Sequence, residues 1–231
     1  MTSADTPKSL LRDYFETIVT CVIFVLFART FVFQQSKIPT GSMIPTLLIG
    51  DYIMVNKFIY APPSAVPLLG SLERAAFPMR DIRRGDIVVF KFPEEPEKDY
   101  IKRVIGLPGE TIEVRDRQVY IDGRPLDESY KVHRNPRGLN IDQDNYPATR
   151  IPDESYFCMG DNRDNSRDSR SWGFVPRSYV KGRAFMIWWS YDEDRNAYLQ
   201  TSVGDRIKLI GEKIAHLFTK SRWERTFRII R

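Results

Sequence analysis

The chain has 231 residues, 42% of them hydrophobic and 13% aromatic, with 28% charged, a net charge of +5 and a pI near 9.2. That composition can build a core and excludes a disordered chain, and no Lys/Arg block marks a nucleic-acid arm. Two histidines and two cysteines lie too far apart in sequence to suggest a metal-ligand cluster, and nothing calls for a cofactor.

The first patterned stretch is apolar. Thr17 to Ala28 carries no charge, but its twelve residues are fewer than the about 20 that a spanning helix needs. Tyr14 to Phe33 makes twenty, with Glu16 and Arg29 near the ends where their side chains can snorkel. No small-residue cleavage site follows and Pro39 comes soon after, so the stretch reads as an uncleaved membrane anchor. Charge does not orient it, because Lys8 and Arg12 are offset by Asp5 and Asp13 while Arg29 and Lys37 follow. Cys21 sits in this run and Cys158 in an expected strand, so no disulfide joins them.

Beyond residue 50 the pattern turns short and strand-like. Strands are expected over Tyr52–Tyr60, Asp86–Phe92, Asp99–Ile105, Thr111–Val114, Gln118–Ile121, Tyr156–Met159 and Ala184–Tyr191. Turn signals stand at 83–86, 107–110 and 122–124, with Asp122-Gly123 as a hairpin tip. No helix of ordinary length is expected between 50 and 200. The fold class is therefore mainly β, an antiparallel sheet that is folded over or partly closed. Residues 126–152 are polar and weakly patterned and read as a surface excursion, as does Ala61 to Pro78. At the end of the chain, 203–231 carries eight Lys/Arg against three acids. Ile207, Ile210, Ile214, Leu217 and Phe218 make an apolar helical stripe there, and Trp223, Phe227 and Ile230 start a second. This basic amphipathic tail either packs on the β domain or lies on a membrane surface. The expected organisation is an anchor over 1–35, a β domain over 36–202 and the tail over 203–231.

Three stretches carry chemistry. Ile38 to Leu48 reads I-P-T-G-S-M-I-P-T-L-L, with Ser42 beside Gly41 and between Pro39 and Pro45. Glycine allows close backbone approach and the prolines disfavour a helix, so the hydroxyl is presented on a stiff segment. Gly-Ser alone reads more readily as a polar turn between two elements. In Tyr100 to Glu110, strand alternation puts Lys102 on one face with Tyr100 and Val104, and Arg103 on the other. A lysine turned into an apolar face loses solvation and its pKa falls. Bringing it from about 10.4 to roughly 7 or 8 corresponds to about 4 kcal/mol and yields a general base. A surface lysine on a strand fits the local context too. Met159 to Pro176, M-G-D-N-R-D-N-S-R-D-S-R-S-W-G-F-V-P, alternates acids, bases and amides and by composition alone is a solvated loop.

Together these strings resemble, in order, the three boxes of the type I signal peptidases, membrane-bound Ser/Lys proteases. The resemblance runs from about Phe31 to Trp189, with the loops between boxes unmatched. The boxes put Ser42, Lys102 and Ser166 60 and 64 residues apart, so only a fold can assemble them. The resemblance implies Ser42 as nucleophile, Lys102 as base, and Ser166 orienting the lysine. The Ser42 N–H and the Thr40 hydroxyl would form the oxyanion hole; many relatives carry serine at that position, and threonine keeps the donor. Gly160, Asp161, Arg103, Asp168 and Arg170 would support the site, the last two as an ion pair. Ile38, Met43, Leu47, Tyr100 and Ile101 look like walls of shallow pockets that admit Ala, although core packing explains such residues equally. The implied substrate is the signal peptide of a preprotein, cleaved after a small-x-small (Ala-x-Ala) motif while paired as an extended strand. The implied location is the bacterial cytoplasmic membrane, single-pass, with the β domain outside; the sequence itself does not define the oligomeric state, and a monomer is the expectation. A related Ser/Lys processing peptidase, or an anchored β domain that binds partners without catalysis, are the alternatives. The latter has no need of Ser42, Lys102 and Ser166 together.

Overall fold

The structure, a computed structural model, describes residues 10–27, 33–60, 80–134, 144–193, 202 and 211–230. Helix α1 spans Leu10–Phe27, 18 residues. At 1.5 Å per residue that is roughly 27 Å, just under the roughly 30 Å of a bilayer core. Its first turns also carry Arg12, Asp13 and Glu16. Accordingly, no helix among the described residues is long and apolar enough to cross a membrane. The expected span to Phe33 is corrected at its far end, where Phe33–Lys37 form strand β1 instead. F-Q-Q-S-K lacks an apolar run, and the pairing with β2, Asp51–Asn56, decides its conformation.

Then follow β3 (Ile87–Lys91), β4 (Asp99–Gly106), β5 (Thr111–Arg115), β6 (Gln118–Ile121), β7 (Arg124–Pro125), β8 (Tyr146–Arg150), β9 (Ser155–Met159), β10 (Val175–Pro176), β11 (Val180–Ser190) and β12 (Arg228–Ile229). The main sheet has the order β1-β2-β11-β3-β4-β9-β10, with β12 beside β11, and the second has the order β7-β6-β5-β8. Every ladder between these strands is antiparallel. Between residues 50 and 193 the α-helix described is one turn, α2, Ser169–Trp172. The expected hairpin tip is present: Asp122 and Gly123 both have positive φ, 50° and 76°, as a type I′ turn requires.

Ile38, Met43, Leu47, Ile53, Val55, Ile87 and Val89 are packed into one apolar cluster, and Val88, Phe90, Val104 and Cys158 into another across the sheet. A third, with Ile105, Ile112, Val114, Phe157 and Met159, joins the small sheet to the large one.

The supposed excursion over 126–152 is corrected in two places. Tyr146–Arg150 is an edge strand on β5, unreadable because an exposed, proline-bearing edge needs no apolar alternation. Residues 126–134 dock on the third box: the Val132 N–H donates to Asp161 O at 2.8 Å, and buried Glu128 pairs with buried Arg163. Residues 135–143 and the Ala61–Pro78 stretch lie outside the described residues, as do Ile207 and Ile210 of the tail stripe.

The tail resolves into helical turns at 211–215 and α3, Leu217–Lys220, then a 3-10 turn, Trp223–Arg225, and the short strand β12. Arg225 enters the protein and meets Asp51 Oδ2 at 2.6 Å, β12 pairs with β11, and Ile230 joins the core. The second stripe is therefore split: Ile230 is buried while Trp223 and Phe227 stay exposed.

Candidate active site

Ser42 lies on a single 3-10 turn, Gly41–Met43, that Pro39 and Pro45 keep from extending into a helix. Its neighbour Met43 is fully buried and anchors the turn in the core. Asn162 grips the turn from outside: its Nδ2 donates to Gly41 O at 3.0 Å and its N–H to Ser42 O at 3.1 Å. Gly160 is needed for this closeness. A Cβ there would lie 2.5 Å from Ser42 O and 2.3 Å from Ser166 Oγ.

Lys102 reaches the turn from β4. Its Nζ donates to Ser42 Oγ at 2.8 Å and to Ile101 O at 3.1 Å, and both Ser42 and Lys102 are buried. Burial pulls the Lys102 ammonium down to about 8, against the opposing pull of the Asp168 carboxylate. No described carboxylate is within hydrogen-bond reach of Nζ, so only longer-range attraction opposes desolvation, and it does not offset it.

Arg103, next in sequence, is equally buried on the other face and is completely paired. Its Nε and Nη2 each donate to Asp161 at 2.8 Å, Nη1 donates to Gly85 O at 2.8 Å, and Tyr130 stacks 4.0 Å from the guanidinium. The Thr46 hydroxyl joins them, donating to Asp161 Oδ2 at 2.5 Å and so tying the nucleophile segment to the third box. Asp168 and Arg170 form the second buried pair, with Nε and Nη2 each 2.9 Å from the carboxylate. Burial alone would raise the Asp168 carboxyl, but the charge and hydrogen bonds of Arg170 bring it below the usual range. The Gly160 N–H donates to the same carboxylate at 3.0 Å.

The remaining expected residues divide. Ser166 is buried near Gly160, but its Oγ has no hydrogen-bond partner among the described residues, so the expected bond to Lys102 is not formed. Thr40 is exposed beside Ser42 on the wall of a 300 Å³ groove that also touches Asp99, Tyr100, Ile101 and Lys102. Ile38, Met43 and Leu47 lie in the core rather than along this groove, while Tyr100 and Ile101 line it. β9 pairs with β4 only from Arg103 onward, so the Asp99–Lys102 half of β4 has β3 on one side and, among the described residues, no strand on the other.

Sequence reasoning missed the clamp behind the nucleophile. Asp51 accepts from the Leu48 N–H at 2.8 Å and from Arg225, and Arg225 Nη2 also donates to Thr46 O at 3.0 Å. Arg222 donates to Ile49 O at 2.9 Å. The one available signal was an aspartate directly after Gly50, closing the nucleophile box.

A buried serine hydroxyl bonded to a buried lysine of lowered pKa is an arrangement chemically capable of acyl transfer. Residues 11–189 match the family model described as signal peptidase, peptidase S26. The chain is 34% identical to signal peptidase I of Pseudomonas aeruginosa over 226 residues, 83% of this chain and 77% of that one. It is 38% identical to a probable signal peptidase I-2 of Synechocystis sp. over 189 residues, covering 79% and 75%. A crystal structure of a signal peptidase I from Enterococcus faecalis V583 matches with 35% identity and a TM-score of 0.39, over 45% of this chain and 97% of that one. This chain belongs to the signal peptidase family of S26 peptidases, and it is a hydrolase of the signal peptidase I kind.

Proposed function

We propose that the protein removes signal peptides from secreted preproteins by serine acyl transfer with a lysine base. The contact that carries this reading is Ser42 Oγ to Lys102 Nζ, 2.8 Å, between two buried groups. Once Lys102 is neutral the sense of that bond reverses. The Ser42 O–H donates to the Nζ lone pair, and the alkoxide attacks the scissile carbonyl as the proton transfers. The oxyanion is held by the Ser42 N–H and the Thr40 hydroxyl. Lys102 then protonates the leaving amine, and afterwards takes a proton from the water that hydrolyses the acyl-enzyme.

The substrate lies extended in the 300 Å³ groove and pairs with Asp99–Lys102, on the side away from β3, as an added strand. Tyr100 and Ile101 bound shallow subsites, with Ile101 backed by the core that holds Ile38, Met43 and Leu47, a geometry that favours Ala-x-Ala. We place the protein in a bacterial cytoplasmic membrane, as a single-pass monomer with the β domain outside. The apolar side chains of α1, exposed from Leu10 to Leu26, support contact with phospholipid.

The test is cleavage of a purified precursor with an Ala-x-Ala site. Wild type yields mature protein, and Ser42→Ala, which loses one oxygen and keeps its fold, yields none. Cleavage by the variant at the wild-type rate removes Ser42 from the mechanism. No cleavage by wild type favours a binding domain.

A further inference from the structure

A second cavity, of 490 Å³, opens on the other side of the nucleophile turn. Gly41, Ile44, Arg134, Asn162, Asp164 and Asn165 line it. Gly41 and Asn165 also line the groove, so the two spaces meet at the residue preceding Ser42. A peptide whose acyl side lies along Asp99–Lys102 crosses Ser42 at its scissile carbonyl and must leave past this turn. An extended chain advances about 3.3 Å per residue, so the first few residues beyond the bond fall within a space of this size.

The charges in that cavity are unequal. Arg134 is exposed and makes no ion pair with a described residue. Asp164 is engaged: its Oδ1 is 2.9 Å from His133 Nδ1, and its side chain is only 12% exposed. Asn162 is buried; its Nδ2 is committed to Gly41 O, and its Oδ1 has no hydrogen-bond partner among the described residues. Ile44 and Ile49 supply an apolar wall for the carbon atoms of an entering side chain.

We propose that this cavity receives the residues following the scissile bond and that Arg134 selects an acidic side chain among them. This would make Arg134 a specificity determinant on the mature-protein side of the substrate. It rests on the peptidase reading and on the groove holding the residues before the bond.

The experiment uses the full-length protein in detergent micelles at low salt. The precursor peptides share one Ala-x-Ala segment and differ at a single position among the first five after the bond, carrying Asp, Asn or Lys. For at least one position wild-type kcat/KM is expected to favour Asp over Lys by about two- to tenfold, the scale of an exposed ion pair against its repulsive counterpart. Arg134→Ala should flatten that ratio, and Arg134→Glu should invert it, with the Asn peptides cleaved within about twofold of wild type. Added salt should shrink the wild-type ratio. Indifference to charge at all five positions overturns the proposal, as does a preference for Asp that survives Arg134→Glu. A charge preference found only before the scissile bond overturns it by reversing the direction of the substrate. Should no Asn peptide be cleaved, the peptidase reading itself falls, which separates that failure from failure of the subsite.

Discussion

Lys102 and Arg103 are neighbours on β4, both cations and both buried, yet their surroundings give them opposite fates. Arg103 faces the Asp161 carboxylate with two matched hydrogen bonds, so its charge is kept and its position fixed. Lys102 faces an apolar strand surface, one serine hydroxyl and the Ile101 carbonyl, and burial brings its pKa down to about 8, where the proton is easily given up. Burial is common to both; the partner differs. A buried cation with a bidentate carboxylate acts as a brace, whereas one with only a neutral hydroxyl becomes a base.

The strongest way to break the contrast is to make the lysine behave like its neighbour. Lys102→Arg places a guanidinium that stays protonated at any working pH beside Ser42. Precursor cleavage should fall by roughly 10³-fold or more, the scale on which removal of a catalytic base acts. Retained activity would mean that Ser42 has another base. The converse manipulation removes the brace's counterion. Asp161→Asn leaves Arg103 buried with its charge uncompensated, a loss of about 3–5 kcal/mol. The urea midpoint should drop with an unchanged m-value. A loss below about 1 kcal/mol would show that Gly85 O and Tyr130 suffice to hold the guanidinium.

Titration sharpens the difference further. With Lys102 depressed to about 8, kcat/KM should rise about tenfold per pH unit below 8 and level off above it. Stability carries the same signature. The folded pKa lies below the unfolded value of 10.5, so between about 8 and 10.5 the unfolded chain holds more protons and stability rises with pH. The penalty, about 3 kcal/mol, is fully present below pH 8. Lys102→Met should therefore be more stable than wild type at pH 7, with the gap closing by pH 10.5. A gap that is constant across this range would mean that Lys102 titrates alike in the folded and unfolded chain.

How much of this was legible in sequence depends on whether the information was local. The three boxes named Ser42, Lys102 and Arg103, and β alternation already separated the last two by face. Strand β6 was read at its observed bounds, because a Val-Ile core pattern ends in Asp122-Gly123. What was lost was identity of partners. Asp51 and Arg225 are 174 residues apart, and Glu128 and Arg163 are 35 apart across a segment of no clear pattern. Neither pair leaves a local trace, since an ion pair buried by topology looks, residue by residue, like surface charge. Edge strands β1 and β8 escaped for a related reason: partly exposed, they carry no apolar period to read.

The smallest effect concerns Ser166, and it tests whether Lys102 is as lightly held as it looks. The Ser166 hydroxyl is buried and makes no bond to Lys102, though it lies near enough to the Asp168 carboxylate to help hold that carboxyl low. Ser166→Ala removes at most one weak contact to Asp168, so the variant should melt close to wild type. Its catalytic role, if the hydroxyl turns to accept from Nζ only when Lys102 is neutral, lies in aiming the lone pair at Ser42. Losing that aim lowers kcat with little change in KM, because no substrate contact is removed. The expected fall is about fivefold, one hydrogen bond's net worth of about 1 kcal/mol. A drop in melting temperature would show that Ser166 is already bonded in the resting protein. A change confined to KM would instead move Ser166 into the substrate groove, and unchanged kinetics would leave Lys102 positioned by Ser42 and the Ile101 carbonyl alone.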